Sequence, residues 1–457
     1  MAADTIAAVA TGAQAAALGI VRISGPEAAR VLAAVVPDAR AAEHPRRMCH
    51  GRAVDPRTGR HLDDVLCFFA PGPGTATGED AAEIHGHGGP LVMRALLAAS
   101  LAAGARAAEP GEFTYRAFCS GRIDLTQAEA VMGLIAARSE RAARAALRQL
   151  EGGLAARLEA DYRALTQTAA ALEAGLDFPD EDLPPAAASS LADELDAISD
   201  SLGRLADSFA SGERLTSGAV VALAGPANAG KSSLLNRLAG AERAIVDAEP
   251  GTTRDVVEIE IVLNGVPVRV SDTAGLRPSP DRLEDKGIEK AIAAARAADL
   301  VVIVLDGSEA DTVSSEIERL IGDGGARSRP AIAAINKCDL PGWREDRVPG
   351  HLASYRHIRV SALTGEGCDE LARAIGATLA GDEDPNEIVL TTARQHAAVS
   401  AAALGARDAA GRLRRGSLPE LAAADLRFAR EALASLAGRA ADTDVLDALF
   451  SSFCIGK

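Results

Sequence analysis

Positive charge is in short supply in this sequence. Across 457 residues, 48 Lys and Arg face 64 Asp and Glu, a formal net charge of −16. Phosphate attraction supplies most non-specific nucleic-acid binding, so a surface this acidic does not coat RNA by charge alone. Any RNA contact has to be local, or shared with a basic partner. Cysteine is sparse as well: Cys49, Cys67, Cys119, Cys338, Cys368 and Cys454, no two at C-x-x-C spacing. That argues against structural zinc, and scattered single thiols fit a reducing cytosol. Also missing are a run of about 18 apolar residues and an opening basic stretch followed by an apolar core. The expectation is a soluble, cytoplasmic protein with no membrane partner. What is plentiful is apolar: 48% of residues are hydrophobic, enough for large cores. The abundant alanine favours helix. A chain this long divides, as a prior, into roughly two to four domains.

The most specific stretch runs over residues 219–233. A short apolar run reads as a buried strand, and Gly225-Pro226-Ala227-Asn228-Ala229-Gly230-Lys231-Ser232-Ser233 follows. This is the pattern of a phosphate-cradling loop. The glycines let the backbone fold tightly and turn its N–H groups inward at a polyphosphate. Lys231 reaches the β- and γ-phosphates, Ser232 ligates Mg²⁺, and a helix opening there aims its positive end at the same anion. The bland alternative is a Gly-rich turn before a helix.

The pieces downstream favour the nucleotide. Residues 258–263 and 266–271, joined by Asn264-Gly265, read as a hairpin. Its second strand ends in Asp272-Thr273-Ala274-Gly275, where the Asp holds Mg²⁺ through water and the Gly N–H meets the γ-phosphate. Residues 300–305 and 331–335 are unbroken apolar runs, as expected of a mostly parallel sheet covered on both faces. After the second comes Asn336-Lys337-Cys338-Asp339. The two acceptors of Asp339 match the N1–H and N2–H₂ edge of guanine, a donor pair adenine lacks. The Lys337 stem packs over the ring, and Ser361-Ala362-Leu363 brings a backbone N–H near O6. A Thr in Pro250-Gly251-Thr252-Thr253-Arg254-Asp255 is suited to close over Mg²⁺ when the γ-phosphate is present. The residue after Gly275 is Leu276 and not a water-orienting Gln. Asp281, Glu284 and Asp285 are the polar candidates for that task.

Around this nucleotide domain the pattern changes twice. Residues 1–118 mix strand and helix signals, an α+β domain. In it, His85 and His87 alternate along one strand, either as two metal ligands or as hydrogen-bonded loop histidines. From Leu125 to Ala174 apolar residues recur at helical spacing, predicting two helices broken at Gly152-Gly153. An acidic, Pro-rich break covers residues 177–185, a third helix covers 186–209, and residues 211–218 read as a polar linker. Helical spacing returns from Glu387 to the end. The expected fold is multidomain, α/β plus all-α. Its parts are an N-terminal α+β domain (1–118), a helical domain in two parts (119–212 and 383–457) and an inserted Ras-like P-loop domain (213–382). Insertion requires the inserted domain's ends to lie close together, as is usual for compact domains.

Several motifs together resemble one family closely. They are Thr77-Gly78-Glu79-Asp80, Glu83-Ile84-His85-Gly86-His87-Gly88-Gly89-Pro90, Pro110-Gly111-Glu112-Phe113-Thr114 and Asp124-Leu125-Thr126-Gln127-Ala128-Glu129-Ala130. Three more are Gly251-Thr252-Thr253-Arg254-Asp255, Asp272-Thr273-Ala274-Gly275-Leu276-Arg277 and the terminal Phe453-Cys454-Ile455-Gly456-Lys457. The chain is similar over its whole length to the MnmE (TrmE) family of tRNA modification GTPases. The resemblance implies a tetrahydrofolate-binding N-terminal domain that also forms a homodimer. It implies an FAD-dependent partner, MnmG (GidA), in a heterotetramer. The pair would add an aminomethyl or carboxymethylaminomethyl group at C5 of the tRNA wobble uridine, with 5,10-methylene- or 5-formyl-tetrahydrofolate supplying the carbon. By position, folate contacts fall on Arg22, Glu83, Arg122 and Lys457. GTP contacts fall on Asn228, Ala229, Gly230, Lys231, Ser232 and Ser233. They continue on Asp247, Ala248, Glu249, Pro250, Gly251, Thr252 and Thr253, on Asp272, Thr273, Ala274 and Gly275, and on Asn336, Lys337, Asp339, Ser361, Ala362 and Leu363. Mg²⁺ falls to Ser232 and Thr253, K⁺ to Asn228, Asp247, Glu249 and Thr252, and the catalytic water to Glu284. Two departures are the loop Gly12-Ala13-Gln14-Ala15-Ala16-Ala17, where the family has a Pro-Pro-Gly-rich loop, and Arg122 in place of a Lys. Cys454 has been considered a catalytic thiol in the family. The alternative function is a regulatory or ribosome-assembly GTPase, which has no need of a folate pocket; a third is a scaffold with a degenerate nucleotide site.

Overall fold

The structure, a computed structural model, describes residues 4–12, 14–177, 185–226, 228–241, 258–272, 295–308, 330–344, 352, 355–381, 387–416, 419–438 and 443–456. Two compact units emerge: residues 1–132 with 150–155 and 431–457, and residues 133–149 with 156–430.

The first unit is built on a six-stranded sheet in the order β3–β4–β5–β2–β1–β6. Its strands are β1 (Ile6–Val9), β2 (Leu18–Ser24), β3 (Cys49–Val54), β4 (His61–Ala70), β5 (Ala81–His87) and β6 (Arg106–Ala107). Alternation fixes the register. Val21, Ile23, Val65, Cys67 and Ile84 point to one face and are buried under α1 (Ala28–Val35) and α2 (Pro90–Ala102), against Leu32 and Leu96. On the opposite face Arg22 and Glu83 stand directly across from one another on β2 and β5. Next come α3 (Glu112–Cys119) and α4 (Leu125–Ala136). The chain's last helix, α13 (Thr443–Ser451), returns to this unit: Phe450 and Phe453 are buried with Leu125 and Ala128 beside Tyr115 and Phe118. Pro110 forms a bridge to Ile455.

Several motif residues of this unit hold the unit itself together. Ser24 Oγ lies 2.7 Å from Thr77 Oγ1 and donates to Glu79 Oε2 at 2.8 Å. Arg116 donates to Glu79 at 3.1 Å, to Glu112 at 2.9 Å and to Asp4 at 2.6 Å. Burial pushes the Glu112 carboxyl up, but the hydrogen bonds from Arg106, the Glu109 N–H and Arg116 outweigh it and leave the group below the usual range.

The second unit carries the sheet β12–β11–β10–β7–β9–β8. Its strands are β7 (Ala219–Ala224), β8 (Glu258–Leu263), β9 (Val266–Asp272), β10 (Leu300–Asp306), β11 (Ala331–Asn336) and β12 (Arg356–Arg359). Every pairing is parallel except the β8–β9 hairpin. The hairpin turns through Asn264 at φ 50° and Gly265 at φ 77°, the left-handed pair that an Asn-Gly turn supplies. Apolar strand residues fill a core on each face, one with Leu234, Leu238 and Leu371, the other with Ala295, Ala298 and Leu352.

Helices α5 (Glu140–Leu150), α6 (Gly153–Asp177), α7 (Pro185–Asp207), α8 (Phe209–Ser217), α10 (Cys368–Ala380), α11 (Ala393–Arg414) and α12 (Pro419–Leu436) come before and after this sheet in the chain. Two expectations are corrected here. The helical stretch from Leu125 breaks into three pieces and not two, because Ser139 Oγ caps a new helix by accepting from the Ala142 N–H at 3.1 Å. Residues 211–217 are helix and not a polar linker. Ser211 and Thr216 turn their hydroxyls back onto the Ser208 and Gly212 carbonyls, while Ser211, Gly212 and Leu215 are buried. The expected boundary at 212/213 therefore falls inside α8.

Candidate nucleotide-binding site

The site lies at the carboxyl ends of the parallel strands, where open α/β sheets bind ligands. β7 ends at Ala224 and the loop begins at Gly225, φ 149°. A Cβ on Gly225 would sit 2.1 Å from the Val304 carbonyl oxygen, so only glycine lets β10 pass. At Gly230, φ 94°, a Cβ would meet Asn336 Nδ2 at 2.2 Å. Between them Asn228 is exposed with φ 61°, a conformation asparagine tolerates. Lys231 opens helix α9 (Lys231–Ala241) and is 5% exposed. Its Nζ donates to Gly225 O at 2.7 Å and Pro226 O at 2.6 Å, so the amine closes the loop on itself. The first N–H groups of α9 face the same loop, an arrangement suited to an anion. β9 pairs with β7 so that Asp272 stands opposite Leu223, one residue from the strand's end.

The opposite rim is tied to this loop by one side chain. Asn336 is 2% exposed. Its Nδ2 donates to Ala229 O at 2.8 Å, and its Oδ1 accepts from the Ala362 N–H at 3.0 Å. Ser361 Oγ donates to Asp339 Oδ1 at 2.5 Å and accepts from the Thr364 N–H at 3.1 Å. Lys337, at φ 62°, sets its Nζ 2.5 Å from Asp306 Oδ2. Burial pushes the Asp306 carboxyl up, but hydrogen bonds from Lys337 and Ser308 prevail and hold it below the ordinary carboxylate range. Between the rims opens a cleft of about 850 Å³, lined by Gly230, Ser233, Asn336, Lys337, Asp339 and Ala362 among others. One end offers backbone N–H groups and an ammonium, the other a carboxylate. The arrangement accepts a polyphosphate at one end and a planar base with paired N–H donors at the other.

Of the expected nucleotide and metal residues, Asn228, Ala229, Gly230, Lys231, Ser232, Ser233, Asn336, Lys337, Asp339, Ser361, Ala362 and Leu363 lie around this cleft and its loop. Asp272 is described in its strand backbone only. Asp247, Ala248, Glu249, Pro250, Gly251, Thr252, Thr253, Thr273, Ala274, Gly275, Asp281, Glu284 and Asp285 lie outside the described residues, as does Lys457. Two members of the site escape sequence reasoning: Asp306, which anchors Lys337, and Arg237, which donates to the carbonyls of Ala362 and Leu363. Asp306 carried a faint signal, an acid ending an unbroken apolar strand; Arg237 carried none.

A second group of expected residues sits in the first unit. Arg22 Nε donates to Glu83 Oε1 at 3.0 Å, and the Arg22 guanidinium lies 5.9 Å over the Phe113 ring. His85 Nε2 lies 2.9 Å from Glu83 Oε2, and His87 Nδ1 lies 2.8 Å from Asp63 Oδ1. Both histidines are thus engaged with carboxylates, and among the described residues no cluster of three or more His, Cys, Asp or Glu could hold a metal. Arg122 is exposed and lines a cleft of about 350 Å³ with Phe118, Asp124 and Gly438. Cys454 is exposed, and its carbonyl accepts from the Gly111 N–H at 3.4 Å. No described helix is long and apolar enough to cross a membrane.

Comparison with known proteins covers the whole chain. A family profile described as "GTP-binding protein TrmE N-terminus" matches residues 5–122, and one described as "MnmE helical domain" matches residues 125–454. Relatives named tRNA modification GTPase MnmE align from end to end. That of Parvibaculum lavamentivorans is 42% identical, over 99% of this chain and 100% of its own. That of Syntrophotalea carbinolica is 39% identical over 99% of each chain, and that of Granulibacter bethesdensis 40% identical over 100% of each. Profile matches across both parts of the chain and full-length identity near 40% leave one conclusion: the chain belongs to the MnmE family of tRNA modification GTPases.

Proposed function

We propose that this chain binds GTP in the cleft between Lys231 and Asp339 and hydrolyses it as part of the modification of tRNA. The observation that carries this reading is the Asn336 strut. A single buried side chain holds the phosphate loop through Ala229 and the base loop through Ala362, so one bound molecule spans both. Asp339, oriented by Ser361, takes the N1–H and 2-amino group of guanine; adenine would leave that carboxylate unpaired. Lys231 leaves the Gly225 and Pro226 carbonyls for the β- and γ-phosphate oxygens.

The donor set suits the two cations that the reading requires. Ser232 at the opening of α9 and Thr253 would hold Mg²⁺, with Asp272 at the end of β9 beside the loop. When bound, Mg²⁺ would neutralise charge on the phosphate oxygens. The exposed amide of Asn228 is a hard oxygen ligand for K⁺, with the backbone oxygens of Asp247, Glu249 and Thr252 completing the cage. K⁺ there would supply the charge that an arginine supplies elsewhere, between β- and γ-phosphates. Glu284 positions the attacking water in place of the missing Gln.

In the first unit, Arg22, Glu83, Arg122 and Lys457 take a tetrahydrofolate, 5,10-methylene or 5-formyl, as one-carbon donor. The paired, half-buried Arg22 and Glu83 on the sheet face away from α1 and α2 offer a cation and an acceptor to such a ligand. The protein works as a homodimer through its N-terminal domains and with the FAD-dependent MnmG as a heterotetramer, in the cytoplasm. The product is a tRNA whose wobble uridine carries an aminomethyl or carboxymethylaminomethyl group at C5. The direct test is GTP hydrolysis by purified protein in KCl against NaCl. Stimulation by K⁺ that Asn228→Ala abolishes supports the reading; equal rates in both salts refute the K⁺ site.

A further inference from the structure

The base loop receives a support from the phosphate side that the recognition motifs do not include. Helix α9 starts at Lys231, and less than two turns further along it stands Arg237. Arg237 Nε donates to Ala362 O at 3.3 Å, and its Nη2 donates to Leu363 O. These carbonyls belong to the two peptide groups flanking Leu363. In a trans peptide the N–H points opposite to the C=O, so gripping Ala362 O fixes the direction of the Leu363 N–H, away from the guanidinium. The neighbouring N–H groups are already committed. Ala362 donates to Asn336 Oδ1, and Thr364 donates to Ser361 Oγ. The Leu363 side chain cannot anchor the loop by packing, because it is 75% exposed.

We propose that Arg237 is a positioning residue for purine recognition. It holds the 362–363 peptide so that the base loop presents an N–H to the 6-carbonyl oxygen of guanine, while Asp339 takes the N1–H and 2-amino group. This inference rests on the guanine assignment above. The forked guanidinium is what the task needs, since it spans two carbonyls at once and stays charged. The same helix then carries Lys231 for the phosphates and Arg237 for the base loop, so the two ends of the nucleotide site are set by one rigid element.

The test is calorimetric titration of the full chain with GDP, 6-thioguanosine diphosphate and ADP. The thio analogue keeps both donors facing Asp339 and exchanges only the 6-oxygen for a weak acceptor. In the wild type the sulfur costs about tenfold in affinity, the worth of one good hydrogen bond. In Arg237→Met, GDP binding weakens about tenfold and the sulfur penalty shrinks to about twofold or less, because the oxygen contact is already lost. Arg237→Lys keeps the charge but cannot fork, gives a smaller loss in the same direction, and carries the test should Arg237→Met misfold. If either variant binds GDP as tightly as the wild type, or weakens both guanine ligands equally, the proposal is overturned. If the wild type binds ADP as tightly as GDP, the guanine assignment itself has failed, which is a different result from a GDP-selective protein indifferent to Arg237.

Discussion

The two sheets of this molecule handle their motif residues in opposite ways. In the parallel sheet the marked residues cluster where strands end: Asp272 at the end of β9, Asn336 at the end of β11 and Ser361 after β12, with the unmarked Asp306 at the end of β10. Strands buried on both faces have no exposed face along their length for a ligand, so chemistry collects at their carboxyl ends. In the mostly antiparallel sheet the face away from α1 and α2 is partly covered, over β1 by Phe113, and polar residues sit on it mid-strand, as the half-buried Arg22 and Glu83 do. There the motif residues divide. Thr77, Glu79 and Glu112 are spent on an internal network around Arg116, and only part of the set faces outward. A sequence motif in the parallel sheet therefore points to one cleft at the strand ends, with Asn336 as the strut across it, whereas in the first unit the motif residues divide between an internal network and a sheet face.

The comparison breaks most sharply at Gly230. Gly230→Ala places a methyl against Asn336 Nδ2 in a left-handed backbone, and GTP hydrolysis should fall by about 10³-fold or more, as loss of a preorganised phosphate site does. Near-normal steady-state turnover would contradict the strand-end account. Next in size, Asp339→Asn should cost about 10²-fold in GDP affinity while improving xanthosine diphosphate, whose 2-oxygen suits an amide donor. Competitive displacement of a fluorescent GDP checks it; unchanged guanine preference would remove Asp339 from base recognition.

For the antiparallel unit the expected effect is on stability. Arg116→Met strips a 12%-exposed guanidinium from Asp4, Glu79 and Glu112 and should destabilise by about 3 kcal/mol, leaving GTP turnover within about twofold of wild type. Urea unfolding with a parallel turnover assay reads both; a large loss of turnover with unchanged stability would make the network functional and not structural. The acid side offers a gentler version. Glu112 titrates below its ordinary 4.5 in the folded chain. Its contribution is present above 4.5 and lost as the pH falls through the lower folded value. Glu112→Gln should therefore cost stability at pH 7 and flatten its decline below pH 4.5. Wild-type and variant melting curves that stay parallel down to pH 3 would rule this out.

Sequence reasoning reached the parallel sheet almost strand for strand, because its signals are local. Asn264-Gly265 dictates its hairpin, and the glycines at 225 and 230 are demanded by contacts under 3 Å. It missed short-range hydroxyl bonds that override the apolar pattern, and contacts between segments far apart in the chain. The Ser139 cap splits a helix whose apolar spacing runs on unbroken, and α8 forms from Ser and Thr that pattern alone assigns to a linker. The Lys337–Asp306 pair and the Arg237 grip on residues 362 and 363 join segments with no shared pattern. Likewise, nothing local distinguishes Glu79 and Glu112 as struts from Glu83 on the sheet face. Only the position of Arg116 does.

The most direct measurement is the affinity of the purified chain for GDP and for ADP under one set of conditions, by calorimetry. The cleft as described predicts a preference for GDP of about 10³-fold or more, because adenine would leave the Asp339 carboxylate without its donor pair. Equal affinities, or a preference for ADP, would contradict it.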